Sequence, residues 1–461
     1  MLYFIYVWNI KTWGVIIKML KTFRGGIHPP EKKEITEKLP SLPISPGDEV
    51  IIPLRQHIGA PCDPLVAVGD YVYMGQKIGE STSFVSAPVH SSVSGTVKAI
   101  KPYPHPTGGE CMSIIIENDR KDALAEGITP FTLDLFPNKV KEYVDNLEPK
   151  DIVAKVKEAG ITGMGGASFP LHVKLSPPPG TEIDTIILNG AECEPYLTSD
   201  HRAMLEHPKL IICGALMIRK AVGAKKILMA IENNKPDAIA LMKTLLKDYE
   251  DFEVVELKTK YPQGSEKQLI NAVSGRQVPS GGLPSAVGVV VSNVDTCSAV
   301  ADAVVRNMPL IRRNVTISGS AVANPSNLIA RVGMKFEELF EAAGGLKEAP
   351  EKIIMGGPMM GMAQTRIDVP MIKGTSGILA LSKAETYGDK EGDCIKCGKC
   401  VDVCPMRLMP NALTTFAIAK DVEKLKEYYI LDCMECGSCT FICPQKRFIV
   451  QHIKKGKQLL K

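Results

Sequence analysis

The chain has 461 residues, 45% of them hydrophobic, which allows two to four packed domains. Its formal net charge of +4 is too small to point to nucleic acid, and no nucleic-acid partner is expected. Thirteen cysteines in so long a chain do not fit a small secreted disulfide scaffold; reduced thiols at metal-ligand spacing point to the cytosol or a cytosol-facing surface.

Residues 1–45 are expected to form an N-terminal arm. The opening stretch MLYFIYVWNIKTWGVIIKML is interrupted by Trp8, Asn9, Lys11 and Trp13. It falls short of the roughly 18 to 20 uninterrupted apolar residues of a membrane span. It also lacks the basic start and small-residue cleavage site of a signal peptide. Two readings stand: an interfacial segment, or an over-extended start with initiation at Met19. Residues 19–45 are rich in Pro and Lys and read as extended.

Residues 46–135 alternate strand-like runs with Gly and Pro turns, the pattern of a small β domain. The runs Val66-Ala-Val68-Gly69-Asp70 to Gly75-Gln76-Lys-Ile78 and Ala87-Pro88-Val89 to Ser94-Gly95-Thr-Val97 resemble the barrel-sandwich hybrid of biotinyl and lipoyl carriers. Such carriers present a modifiable Lys at a hairpin tip. Here the tip is His90, Ser91 and Ser92, with no Lys before Lys98, so a structural module is expected.

Residues 136–310 alternate helical stretches with the apolar strands DTIILNG, KKILMAIE, FEVVELK and VGVVVSNV. Short β-branched strands bounded by turns are the mark of a parallel sheet buried on both faces. Three loops stand out. Gly160 to Pro170 carries Gly163, Gly165 and Gly166, whose bare backbone suits a phosphate or a flat ring; a plain turn is the alternative. Asn189 to Pro195 leaves a strand with Glu192, Cys193 and Glu194, suited to ribose hydroxyls or to a solvated turn. Ser292 to Thr296 offers amide and hydroxyl groups, or simply caps the helix that follows.

Residues 311–365 read as a β-α-β unit, and residues 366–461 as the last domain. There the spacing C-x2-C-x2-C-x3-C-P occurs twice, at Cys394, Cys397, Cys400, Cys404 and at Cys433, Cys436, Cys439, Cys443. This run ligates 4Fe-4S clusters in two-cluster ferredoxins, where the fourth cysteine of each run serves the other cluster. One cluster is therefore expected on Cys394, Cys397, Cys400 and Cys443, the other on Cys433, Cys436, Cys439 and Cys404. Zinc would prefer two separated C-x2-C pairs. The runs flank a helix-like stretch from Pro410 to Tyr428. The basic tail Lys446–Lys461 reads either as a docking helix or as a solvated one. Cys62, Cys111, Cys213 and Cys297 are read as ordinary buried thiols, with Cys193 kept apart.

The segments GITGMGGASFPLHVK, LNGAECEP, YPQGSEKQL and VSNVDT resemble the flavin- and NADH-binding loops of the large flavoprotein subunit of respiratory complex I. The likeness covers about residues 150–365 and includes a β-grasp module of the SLBB type, VTISGSAV to GGPMMG. It implies FMN held by Gly163, Gly165, Gly166, Lys174, Asn189, Asn293 and Thr296, with Glu192, Glu194, Tyr261 and Glu266 lining the flavin and nicotinamide side. Met164 and Ser265 depart from that family's usual Arg and Glu.

The whole order, including Phe23-Arg-Gly-Gly-Ile-His-Pro-Pro30, resembles the C subunit of Rnf-type ferredoxin:NAD oxidoreductase complexes over nearly the full chain. The fold class implied is a multidomain α/β chain: a barrel-sandwich hybrid, a complex I flavoprotein-like (Rossmann-like) α/β domain, an SLBB β-grasp, and an α-helical two-cluster ferredoxin-like domain. The resemblance further implies a translocase-class oxidoreductase subunit peripheral to the cytoplasmic side of the cell membrane. Its partners would be membrane and ferredoxin-like subunits, with ferredoxin reached indirectly, and NAD(H) its substrate. The alternatives are cobalamin reduction in a propanediol-utilisation microcompartment, and a pure electron carrier without flavin.

Overall fold

The computed structural model describes residues 20–386 and 390–460. The expectations for the opening stretch fall on residues 1–19, outside the described residues.

The arm does not run free. Lys21 bridges Leu257, Ile27 pairs with Tyr261, and β1 (Ser41–Pro43) joins the strand Ser326–Arg331 in parallel. Next come β2 (Glu49–Pro53), β3 (Asp63–Pro64), β4 (Tyr71–Val72), β5 (Lys77–Glu80), β6 (Val89–His90), β7 (Gly95–Pro104) and β8 (Glu110–Asn118). They form two antiparallel sheets, ordered β2-β8-β7-β4 and β3-β5-β6. The tip His90–Ser92 is buried rather than presented. The Ser92 hydroxyl donates to the Val332 carbonyl at 2.6 Å, and Arg331 donates to the Ser92 carbonyl at 2.6 Å. Of the four cysteines read as buried, Cys62, Cys213 and Cys297 are so; Cys111 is half-exposed, because it lies near the start of β8 at the sheet's end.

The α/β domain runs α1 (Pro137–Asp145), α2 (Pro149–Glu158), α3 (Leu171–Lys174), β9 (Thr185–Gly190), α4 (Ser199–Glu206), α5 (Pro208–Val222), β10 (Lys226–Glu232), α6 (Pro236–Leu245), β11 (Phe252–Leu257), α7 (Glu266–Ser274), β12 (Val289–Asn293) and α8 (Val294–Arg306). Its sheet is all parallel, ordered β11-β10-β9-β12. Alternate residues point to opposite faces. Ile186 and Leu188 therefore enter the core under α5 and α8, while Ile187 enters a second core with Leu269, Ile270 and Val273 of α7. Helices α5 and α8 approach so closely at Gly214 that a Cβ there would lie 1.8 Å from the Cys297 carbonyl oxygen.

The β-grasp contains β13 (Arg312–Ser318), β14 (Ser326–Arg331), α9 (Phe336–Ala342), β15 (Lys352–Met355), β16 (Met362–Gln364) and β17 (Gly377–Leu381), in the sheet order β1-β14-β13-β17-β15-β16. Strand β17 lies beyond residue 365, yet it pairs with both β13 and β15 and belongs to this sheet. The barrel-sandwich and the β-grasp share one core: Ile52, Val97 and Ile116 pack in the same cluster as Val315, Phe336 and Ile378.

The last domain holds α10 (Lys399–Asp402), α11 (Pro410–Ala419), α12 (Val422–Glu427), α13 (Ser438–Phe441) and α14 (Ile449–Gln458). The stretch Pro410–Tyr428 is thus two helices, not one. Lys420 takes a left-handed conformation at the end of α11, and Asp421 caps α12 by accepting the Lys424 N–H at 3.0 Å. Helix α14 is neither a loose tail nor fully solvated: Ile449, Val450 and Ile453 pack with Leu413 and Ala417.

Candidate active site

Each cysteine run folds as a loop entering a short helix. Gly398 (φ +79°) and Gly437 (φ +81°) turn the loop into α10 and α13, a left-handed conformation that glycine adopts without strain. The loops create two cavities. One, of about 360 Å³, is lined by Cys404, Cys433, Cys436 and Cys439 among Met406, Leu408, Leu413 and Ile453. The other, of about 630 Å³, is lined by Cys394, Cys397, Cys400 and Cys443. Each cavity therefore gathers three cysteines of one run and the fourth of the other.

Neither lining contains a carboxylate or an imidazole, and all thirteen cysteines are free thiols. Four thiols converging without hard oxygen donors suit an iron–sulfur cluster. Burial pushes the Cys433 thiol up to about 11 and raises those of Cys404, Cys436 and Cys439. Such thiols hold their protons until a metal displaces them. The two cavities differ in exposure. Cys436 and Cys439 are buried, whereas Cys394 and Cys397 are exposed.

The second element of the site lies in the α/β domain. The chain runs from β9 to β10 and β11 on one side, then returns to β12 on the other. This is a topological switch point, and the crevice outside the carboxyl ends of β9 and β12 is where such sheets bind ligands. Asn189 and Asn293, the last polar residues of those strands, are register partners across it.

The glycine loop closes over the same crevice. The Gly163 N–H donates to the Phe169 carbonyl at 2.8 Å, and the Met164 N–H donates to the Thr296 hydroxyl at 3.0 Å. A Cβ on Gly165 would lie 3.6 Å from that of Asn293, while one on Gly166 would meet nothing within 4 Å. Gly165, Gly166 and Ala167 are exposed. Lys174 reaches the same edge, 2.9 Å from Glu266 and 3.3 Å from the Val291 carbonyl. Exposed glycine backbone, a cation and paired amides around a switch-point crevice fit a phosphate-bearing ring cofactor.

Several side chains are spent internally. Asn293 is the N-cap of α8 and accepts N–H groups from Asp295 at 2.9 Å and Thr296 at 3.3 Å; its amide donates to Asp200 at 2.7 Å. Of the two readings of Ser292–Thr296, the cap is realised. Glu192 accepts the backbone N–H groups of Asp200 at 2.6 Å and His201 at 3.2 Å, so its carboxylate caps α4. Asn189 donates to the Gly264 carbonyl at 2.8 Å and ties the loop after β9 to the YPQG segment.

Glu194 and Tyr261 lie against the backbone of the Cys433–Cys439 loop, whose cysteines are the more buried set. Tyr261 is only 1% exposed, and its hydroxyl donates to the Cys436 carbonyl at 2.7 Å with Glu194 at 3.3 Å. Glu194 also accepts the N–H groups of Met359 at 3.0 Å and Met360 at 2.9 Å, and burial pushes its carboxyl up to about 7. Cys193 accepts the Gly264 N–H at 3.3 Å, and burial raises its thiol.

Other residues prove structural to the site without standing out in sequence. Lys33 of the arm donates to the Glu194 carbonyl at 2.9 Å and also to that of Leu197; Lys235 donates to the Ala191 carbonyl at 2.6 Å. Both lysines are buried and pin the acidic loop from beneath. Arg313, 1% exposed, donates to the Met164 carbonyl at 3.2 Å and holds the glycine loop; Asp200 and Asp295 offset its charge. The arm completes the junction. Gly26 N–H donates to the Val403 carbonyl at 2.8 Å, and a Cβ on Gly25 would lie 2.9 Å from the Cys404 carbonyl oxygen. The adjacent glycines of FRGGIHPP were the available sequence signal for that close approach.

Comparison with known proteins agrees with this layout. Residues 21–121 match the RnfC barrel sandwich hybrid domain, 156–302 the Nuo51 FMN-binding domain, 314–363 the SLBB domain, and 393–449 the 4Fe-4S dicluster domain. The C subunit of the proton-translocating ferredoxin:NAD(+) oxidoreductase complex of Clostridium ljungdahlii is 51% identical over 95% of this chain and 93% of its own. The C subunit of the Na(+)-translocating ferredoxin:NAD(+) oxidoreductase complex of Acetobacterium woodii is 45% identical over 95% of this chain and 96% of its own. The C subunit of the ion-translocating oxidoreductase complex of Rhodobacter capsulatus is 39% identical over 87% of this chain and 76% of its own.

Proposed function

Since the chain belongs to the RnfC family, the C subunits of ion-translocating ferredoxin:NAD(+) oxidoreductase complexes, we propose that it exchanges electrons with NAD(H) and relays them through two 4Fe-4S clusters to partner subunits and, through them, ferredoxin. Two of the three relatives named above, those of Clostridium ljungdahlii and Acetobacterium woodii, carry the ferredoxin:NAD(+) activity in their names, which favours this reading over cobalamin reduction.

FMN, when bound, supplies the exchange between the two electrons of a hydride and the single electrons that clusters accept. The backbone of Gly163, Gly165 and Gly166 would hold it, with Lys174 as the nearby cation and Asn189, Asn293 and Thr296 shaping the crevice floor. Glu266 orients Lys174 through their ion pair. Glu192 holds the acidic loop in place by capping α4, and Glu194 with Tyr261 joins that loop to the enclosed cluster. Cys404, Cys433, Cys436 and Cys439 would ligate the cluster nearer the crevice; Cys394, Cys397, Cys400 and Cys443 would ligate the outer one.

The observation carrying this order is the Tyr261–Cys436 hydrogen bond: one cysteine cavity abuts the crevice loops, while the other opens to the surface. Among the described residues no helix is long and apolar enough to cross a membrane. In this reading, ion movement and the choice of ion belong to other subunits. Attachment at the cytoplasmic side of the membrane completes the proposal.

Anaerobic reconstitution with iron, sulfide and FMN, followed by an NADH titration, tests the reading. Bleaching of flavin and cluster absorbance together is the expected result. Clusters reduced by dithionite but untouched by NADH would overturn it.

A further inference from the structure

The outer cysteine cavity has a rim of one charge sign. Lys396 and Lys399 stand between its cysteines, and Arg447 closes the opposite side, with no Asp or Glu in the lining. Both lysines are exposed and make no ion pair among the described residues. Glu391, three residues before the first cysteine, is engaged: it accepts the Phe448 N–H at 3.0 Å and pairs with His452 at 2.9 Å. Asp393 and Asp402 are exposed but outside the lining. Ile395, 60% exposed, projects amid these cations beside the two exposed cysteines.

A small apolar spot within a ring of like charge, over an exposed redox centre, is the make-up of a transient electron-transfer contact. We infer that this face, Lys396, Ile395, Lys399 and Arg447 around the outer cluster, docks the acidic surface of a one-electron carrier protein. The inference rests on the relay order proposed above. In the step, one electron leaves the reduced iron–sulfur centre of the carrier and enters the outer cluster; no bond breaks and no proton moves. Complementary charge acts on the encounter rate and is screened by salt.

The test uses the reconstituted chain and two protein probes of opposite charge. A reduced acidic two-cluster ferredoxin serves as donor, and mitochondrial cytochrome c, a basic protein, serves as acceptor from the NADH-reduced chain. With K396E/K399E the second-order rate from ferredoxin is expected to fall about tenfold at low ionic strength and to converge on the parent rate at high salt. The rate to cytochrome c is expected to rise. NADH bleaching of the flavin should hold. If the charge reversal costs the cluster its iron, K396Q/K399Q is read instead, with a smaller change in the same directions.

A ferredoxin rate indifferent to these substitutions overturns the inference. So do rate changes that persist undiminished at high salt alongside a shifted cluster potential, since the lysines would then serve the cluster's own charge. Failure of the relay itself looks different: the parent clusters would take no electrons from NADH.

Discussion

The Tyr261 hydroxyl donates to the Cys436 carbonyl at 2.7 Å, joining the segment beside the switch-point crevice to the second cysteine loop. Tyr261→Phe removes that donor and leaves a buried carbonyl short of a partner, a loss of about 1–3 kcal/mol at the junction. NADH should still bleach the flavin at the parent rate, while cluster bleaching lags behind it in a stopped-flow trace. Parallel bleaching at parent rates would show that the bond has no part in the relay.

Cys404 lies in one run but lines the cavity of the other. Cys404→Ala should therefore cost the enclosed cluster and spare the outer one, leaving about half the iron. Iron and sulfide analysis with EPR of the dithionite-reduced protein checks this. Two intact clusters would refute the crossed ligation.

Gly166 has φ +105° and open space over its Cα. A β-branched residue is strained there, and its side chain would stand where a cofactor approaches. Gly166→Val should give a protein that purifies with its iron and little flavin. Fluorescence of acid-released flavin is the readout, and parent flavin content would remove this loop from the binding site.

Lys373 ties three domains together, donating to the Pro88 carbonyl of the barrel-sandwich at 2.7 Å and the Gly160 carbonyl of the α/β domain at 2.7 Å from a loop preceding β17. It is 1% exposed, and desolvation lowers its ammonium from 10.5 to about 7. The unfolded chain then binds one proton more than the folded chain between those values. Stability from this group is thus full above the unfolded value and lost as the pH falls through the folded one. The advantage of the parent over Lys373→Met should grow by about 2 kcal/mol from pH 7 to pH 9. Urea unfolding at both pH values measures it, and a constant gap would mean that the amine titrates normally in the fold.

What the sequence displayed was local or periodic. The four strands of the parallel sheet were plain because both faces are buried, so Ile186, Ile187 and Leu188 are all apolar. The grouping of cysteines around the two cavities follows the two-cluster ferredoxin pattern that the repeated spacing matched. Residues whose part depends on distant segments were opaque. Glu192 read as a ligand-facing acid, yet it caps α4. The arm read as extended chain, yet Gly25, Gly26 and Ile27 fill the seam between Cys404 and Tyr261. Lys33, Lys235, Arg313 and Lys373 drew no reading from the sequence, since nothing local shows that carbonyls from distant segments will surround a buried cation. Strand β17 joined its sheet through pairing with β13 and β15, a matter of tertiary register that periodicity does not carry.

The relay order is tested most directly by mixing NADH with two single-cluster variants and freezing the reaction for EPR at successive times. In Cys443→Ala, which disables the outer site, the enclosed cluster should be reduced at the parent rate. In Cys404→Ala, which disables the enclosed site, the flavin should bleach while the outer cluster stays oxidised. Reduction of the outer cluster at an undiminished rate in Cys404→Ala would contradict a path that runs from the crevice through the enclosed cluster.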